Sequence, residues 1–136
     1  MYRADFQKLA RTRLREAKIL CQAREPSAAF YLTGLAVECA LKAAFCKNVR
    51  KFRFPDKSDK ELFTHDLNKL RKFAGLTPSY EERCSEDENF EVNWAVVVKW
   101  SVESRYCHQQ MVDARDILRA ATMRRHGVMQ WIREHW

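Results

Sequence analysis

One long segment in the first half of the chain is apolar on almost every side. From Ser27 to Lys47, Glu38 and Lys42 are the charged interruptions, and their spacing and order favour an ion pair across one helical turn. A helix with so little polar surface must be covered by other elements, so this segment predicts the central helix of a bundle. A carboxylate buried there without a partner would be costly. We therefore expect a further cation at Glu38, either Arg105 or His65.

Apolar residues also recur at helical spacing on both sides of this segment. The pattern predicts helices over residues 5–24, 27–47, 64–74, 89–106 and 109–134. Thr64 is the expected N-cap of the third helix, and Gly75 fits the position after its end. Residues 77–88 are expected to form a short acidic linker. Because the chain has only three Gly and three Pro, we predict an all-α fold, an up-and-down bundle of four to five helices in a single domain, 1–136.

Charge and cysteine content narrow the classes of function. The net charge of +7 favours anionic partners such as RNA or a nucleotide, although a merely soluble surface explains it equally well. The five cysteines are odd in number and form no CxxC pair, so we expect reduced thiols, no metal and no cofactor. No stretch reaches the ~18 uncharged apolar residues that a membrane span needs. We expect a cytoplasmic protein with no membrane partner.

Basic residues group in four places: Arg11/Arg13/Arg15, Lys47/Arg50/Lys51/Arg53, Lys69/Arg71/Lys72 and Arg124/Arg125. If these faces converge, they would follow a phosphate backbone. The alternative is that they are the solvated faces of amphipathic helices. Residues 48–60 are expected to be a basic loop, in which Phe52 and Phe54 either contact nucleic acid or anchor the loop on the core.

Two histidines are candidates for chemistry. If the fourth helix continues past its predicted end, Arg105 and His108 share one face, where His can activate a ribose 2′-hydroxyl and Arg can stabilise phosphoryl charge. Alternatively, Arg105 pairs with a carboxylate and His108 lies in a connection between helices. His65, expected in the first turn of its helix beside Asp66, would cradle a phosphate, act as a neutral base, or only pack the turn. We interpret His126 and His135 as solvated surface.

Four strings in this order resemble a bacterial HEPN family (higher-eukaryote and prokaryote nucleotide-binding helical domains). They are the run Tyr31–Ala43, Thr64-His65-Asp66-Leu67, the pair Trp94 and Trp100 leading to Arg105-Tyr106, and the closing Val128-Met129-Gln130-Trp131-Ile132. The resemblance covers nearly the whole chain. It implies a helical bundle that often dimerises and handles RNA or nucleotides, in many members as a ribonuclease of toxin–antitoxin or antiviral defence systems.

The family's nuclease signature is an Arg followed by a His after four to six residues, and this chain departs from it because only Tyr106 and Cys107 separate Arg105 from His108. One hypothesis is a metal-independent endoribonuclease. Its catalytic residues are Arg105 and His108, and its RNA- or nucleotide-binding residues are Glu38, Lys42, His65 and Tyr106. The alternative is a non-catalytic module that binds a nucleotide, or a partner such as a nucleotidyltransferase, through Trp131 and Trp136. A cognate antitoxin and a homodimer are the further expected partners.

Overall fold

A computed structural model describes residues 2–48 and 60–136, except for the side chains of Lys60 and Glu61. Its helices are α1 (Arg3–Gln22), α2 (Pro26–Asn48), α3 (Leu67–Phe73), α4 (Thr77–Glu86), α5 (Glu88–Val97), α6 (Met111–Thr122) and α7 (Val128–Arg133). Two 3₁₀ turns, Lys60–Phe63 and Val102–Tyr106, accompany them. The described ranges contain no strand, so the all-α prediction is confirmed, but their α-helices number seven rather than four or five. The basic loop predicted at 48–60 lies almost entirely outside the described residues.

Helix α2 is the centre of the bundle, as predicted. It packs against α1, α3, α6 and α7, and the 3₁₀ turn Val102–Tyr106 also contacts it. By length and mean hydropathy, 1.4 over its most apolar stretch, α2 would suffice to cross a membrane, but 78% of that stretch is buried by the rest of the chain. Pro26, expected only to break the preceding helix, is its first residue, where a missing N–H costs nothing.

The chain between α2 and α5 differs from the prediction in two places. The N-cap of α3 is Asp66 rather than Thr64, because Asp66 Oδ1 accepts a hydrogen bond from Lys69 N at 3.0 Å. Residues 77–86, predicted as a linker, form α4. Its helical pattern is weak in the sequence because none of its residues is buried. Its apolar contacts with the core come from the half-buried Tyr80 and Cys84, which lie one turn apart.

The predicted fourth helix ends early, at Val97. Trp100 then folds back over α2, where its indole Nε1 donates a hydrogen bond to the carbonyl of Tyr31 at 3.1 Å. Gly34 makes this approach possible, since a Cβ built on it would lie 2.1 Å from Trp100 Cγ. Ser101 is extended, and the chain resumes as the 3₁₀ turn. A contact distant in sequence therefore overrides the local helical pattern.

The predicted last helix is also two helices, α6 and α7. Met123 is extended, and Gly127 is the N-cap of α7. A side chain on Gly127 would clash with the backbone, because its Cβ would lie 2.5 Å from Met123 O. Trp131, expected to be an exposed binding residue, is instead buried, with its ring centroid 5.2 Å from that of Phe90 and 6.0 Å from that of Trp94.

Candidate functional site

Glu38 is the centre of a cluster of charged side chains inside the bundle. Its side chain is only 4% exposed. Lys42 Nζ donates a hydrogen bond to Glu38 Oε1 at 2.8 Å, as the spacing of the two residues predicted. His65 Nδ1 lies 3.1 Å from Oε1 and 3.0 Å from Oε2 of the same carboxylate. Of the two further partners expected for Glu38, the structure therefore places His65 there, and no hydrogen bond or ion pair between described atoms joins Glu38 to Arg105.

The contact with Glu38 fixes which nitrogen of His65 is available for chemistry. An ionised carboxylate only accepts hydrogen bonds, so Nδ1 carries the proton that points at Glu38. The other nitrogen, Nε2, then keeps its lone pair and can accept a hydrogen bond from a ligand. Since the side chain is 49% exposed, a ligand in solvent can reach the ring. His65 lies before the N-cap Asp66, so it is not in the first turn of α3 as expected.

Cys39 follows Glu38 on α2, and the pKa of its buried thiol reflects both burial and the nearby charges. Burial and the neighbouring carboxylate of Glu38 raise the pKa of the Cys39 thiol to about 11, against the opposing effects of Lys42 and Arg13. A thiol with that pKa stays protonated near neutral pH and is a poor nucleophile. The reactive group that the cluster offers to solvent is therefore the imidazole of His65.

Three other predicted site residues lie on the 3₁₀ turn Val102–Tyr106 and just after it. Arg105, Tyr106 and His108 are all exposed. The guanidinium carbon of Arg105 lies 4.8 Å from the ring centroid of Tyr106, whose own exposure is 73%. Cys107 is extended, so Arg105 and His108 do not share a helix face, and the geometry assumed for a joint catalytic role is wrong. His108 does lie in a connection between helices, as the alternative prediction had it.

The two groups of predicted site residues border one face of α2. Gln109 N donates a hydrogen bond to Ser27 Oγ at 2.9 Å, and Trp100 covers Gly34. Ser27, Gly34 and Glu38 lie on the same side of α2, because their spacings of seven and four residues complete nearly whole turns. At 1.5 Å per residue, Ser27 and Glu38 are about 16 Å apart along the axis. The segment that follows Arg105 and Tyr106 therefore contacts the start of this stripe of α2, and Trp100 covers the stripe between Ser27 and the Glu38 cluster.

Two histidines interpreted as solvated surface have specific partners instead. His126 Nδ1 lies 2.6 Å from Asp87 Oδ2, and Asp87 also caps α5. Burial raises the pKa of the Asp87 carboxyl, but hydrogen bonds from His126 and from backbone N–H groups outweigh it and leave that pKa below its ordinary value. His135 Nε2 lies 2.9 Å from Ser79 Oγ, and burial lowers the pKa of His135. The two residues of each pair are distant in sequence, so residue spacing could not predict either contact.

Arg71 is buried, although the sequence suggested a basic surface cluster with Lys69 and Lys72. Its guanidinium carbon lies 3.8 Å from the ring centroid of Tyr80 and 5.3 Å from that of Trp94, and its Nε has no hydrogen-bond partner among the described residues. The sequence contained a pattern that could have predicted the burial of Arg71. Leu67, Leu70, Arg71 and Ala74 follow the i, i+3, i+4, i+7 spacing of a buried helix face, and all four are buried.

The described residues contain no cluster of side chains suited to a metal ion. In the part of the chain that the structure describes, no three His, Cys, Asp or Glu residues lie close enough together to hold a metal ion. Cys21, Cys39, Cys84 and Cys107 are free thiols, and Cys39 and Cys46 are buried. Comparison with protein-family models, with curated proteins and with solved structures found no match to this chain.

Proposed function

We propose that the chain is an RNA- or nucleotide-directed protein of the HEPN type, and that it cleaves RNA without a metal at the Glu38–His65 pair. One observation carries the proposal: a buried carboxylate holds Nδ1 of a half-exposed imidazole at 3.0 Å, which leaves Nε2 directed away from the carboxylate. That arrangement suits a general base, because the ring is oriented and its tautomer is fixed. The net charge of +7 favours an anionic substrate.

The proposed reaction uses groups of the chain and of the RNA alone. His65 Nε2 removes the proton of a ribose 2′-hydroxyl, and the 2′-oxygen attacks the adjacent phosphorus. The bond from phosphorus to the 5′-oxygen breaks, and that oxygen takes a proton from solvent. The products are one strand with a 2′,3′-cyclic phosphate and one with a 5′-hydroxyl. Glu38 acts by orienting His65 and by stabilising the imidazolium formed in the first step.

The exposed turn supplies binding rather than chemistry in this proposal. Arg105 pairs with a phosphate of the same strand, and the exposed ring of Tyr106 stacks on a base, as aromatic residues do in single-strand binding proteins. His108 lies beside them. In this proposal one RNA strand extends from the exposed turn to His65. Catalysis by Arg105 and His108 themselves is the competing assignment, and it would have to proceed without the shared helix face that the sequence predicted.

The test is cleavage of total RNA and of transfer RNA in EDTA by the wild type and by three variants. We expect His65→Ala to abolish turnover with RNA binding retained, and Arg105→Ala to weaken binding with turnover retained at saturating RNA. His126→Ala is the matched control, because it also removes a histidine held by a carboxylate, that of Asp87. If His65→Ala cleaves RNA at the wild-type rate and Arg105→Ala does not cleave it, the catalytic residues are Arg105 and His108 and not His65.

A second candidate function is a non-catalytic module that binds a nucleotide or assists a partner such as a nucleotidyltransferase. The observation that favours it is the separation of Arg105 from His108 by an extended residue, which removes the family's paired nuclease residues from a common helix face. It predicts nucleotide binding that depends on Glu38, Lys42 and His65, with no cyclic-phosphate product. A homodimer and a cognate antitoxin belong to the same proposal, and measuring the mass of the protein in solution tests the former.

A further inference from the structure

A groove of about 520 Å³ lies between the end of α1 and the outer face of α6, apart from the stripe of α2 described above. Cys21 contributes from α1, and Val112 and Leu118 contribute from α6. Val112 is 54% exposed although its side chain is entirely hydrocarbon. A concave surface with apolar side chains at its base is typical of sites that receive a side chain or helix from a partner.

Two of the three described charged residues that line the groove are basic, and Lys18 lies outside the lining. Arg115 and Arg119, one turn apart on α6, both line it and are exposed. Lys18 is exposed one turn before Cys21 on α1, and Asp116 is the acidic residue among those that line the groove. Charge complementarity therefore favours an occupant that is acidic where it meets these side chains.

The composition of the groove distinguishes a protein occupant from a nucleic acid. Single-stranded RNA is bound largely by stacking its bases on aromatic side chains, and none of the described residues that line the groove is aromatic. Apolar side chains between cations instead complement an amphipathic helix with acidic flanks. We propose that this groove binds such a helix from a partner protein, with its apolar face on Val112 and Leu118 and its carboxylates on Arg115 and Arg119. The proposal is independent of the RNA-directed function.

The test is the selection of a displayed library of random linear peptides on the folded protein. We expect the enriched peptides to carry apolar residues at helical spacing with Asp or Glu between them. Charge reversal by Arg115→Glu with Arg119→Glu should weaken a selected peptide by at least about tenfold, since like charges then face each other. Arg3→Glu with Lys8→Glu, a matched reversal of two exposed cations at the other end of α1, should leave its affinity unchanged.

A second measurement places the peptide on the groove itself. The bound peptide should slow alkylation of Cys21, which lines the groove, and leave the exposed Cys107 unaffected. No enrichment, enrichment of basic peptides, or equal binding to the Arg115→Glu/Arg119→Glu protein would overturn the proposal. The proposal would also be overturned if the Arg115→Glu/Arg119→Glu variant kept its affinity for the peptide but lost affinity for RNA or failed to dimerise. Arg115 and Arg119 would then contact RNA or a second copy of the chain.

Discussion

Lys42 and Glu38 form an ion pair one helical turn apart, 2.8 Å between Nζ and Oε1, with both residues buried in the central helix of the bundle. Each charge compensates the other, and His65 donates a further hydrogen bond to the same carboxylate. Such a pair adds little stability compared with well-packed apolar residues, but removing one partner leaves the other buried and unpaired. The pair therefore makes a sharp prediction for stability that does not depend on any function.

We expect Glu38→Gln to lower the free energy of unfolding by about 3–5 kcal/mol, because Lys42 is then left as a buried charge without its carboxylate. Lys42→Met in the same chain should recover much of that loss, since the double variant buries no unpaired charge. Urea denaturation of the wild type, both single variants and the double variant measures the coupling. Additive effects of the two substitutions would show that the ion pair does not exist in solution.

Some helices and contacts around Glu38 could be predicted from the sequence, and others could not. The pattern identified α1, α2 and the pair Glu38–Lys42. It predicted a further cation at Glu38, because a buried carboxylate needs a partner, but it offered Arg105 and His65 as alternatives, and the contact observed is with His65. The breaks after Val97 and Thr122 could not be predicted, since the first depends on Trp100 reaching α2 and the second on a turn at Gly127. Helical periodicity continues through both breaks in the sequence. A tertiary contact therefore accounts for the first break, and a local turn accounts for the second.

Gly34 and Trp100 give a second prediction. Alanine is ordinarily favoured over glycine inside a helix by about 1 kcal/mol, so Gly34→Ala should stabilise α2 if nothing opposes it. Here the new Cβ would lie 2.1 Å from Trp100 Cγ, and the rigid indole must move. We expect a net destabilisation of about 1–3 kcal/mol and a change in tryptophan fluorescence. In a Trp100→Ala background the same substitution should be neutral or stabilising, and equal effects in both backgrounds would refute the contact.

His135 predicts a specific dependence of stability on pH. Burial lowers the pKa of this histidine in the folded protein, so the unfolded chain binds a proton more readily. The stability it contributes is therefore present above the unfolded pKa of about 6.5 and falls as the pH drops below that value. Between pH 7 and pH 5, the free energy of unfolding of the His135→Asn variant should fall by less than that of the wild type. His108→Asn, at an exposed position, should follow the wild type, and parallel curves for all three proteins would contradict the role of His135.

The five cysteines should differ widely in their rates of alkylation. At pH 8 a thiol with a pKa of about 11, as at Cys39, is ionised in about one molecule in a thousand, and burial further blocks the reagent. Burial also raises the pKa of Cys84, whereas Cys107 is exposed on the turn after Tyr106. Iodoacetamide followed by peptide mass spectrometry should therefore modify Cys107 first and reach Cys39 and Cys46 only after denaturant is added. Early modification of Cys39 in the native protein would mean that the central helix opens and that its buried face is accessible to the reagent.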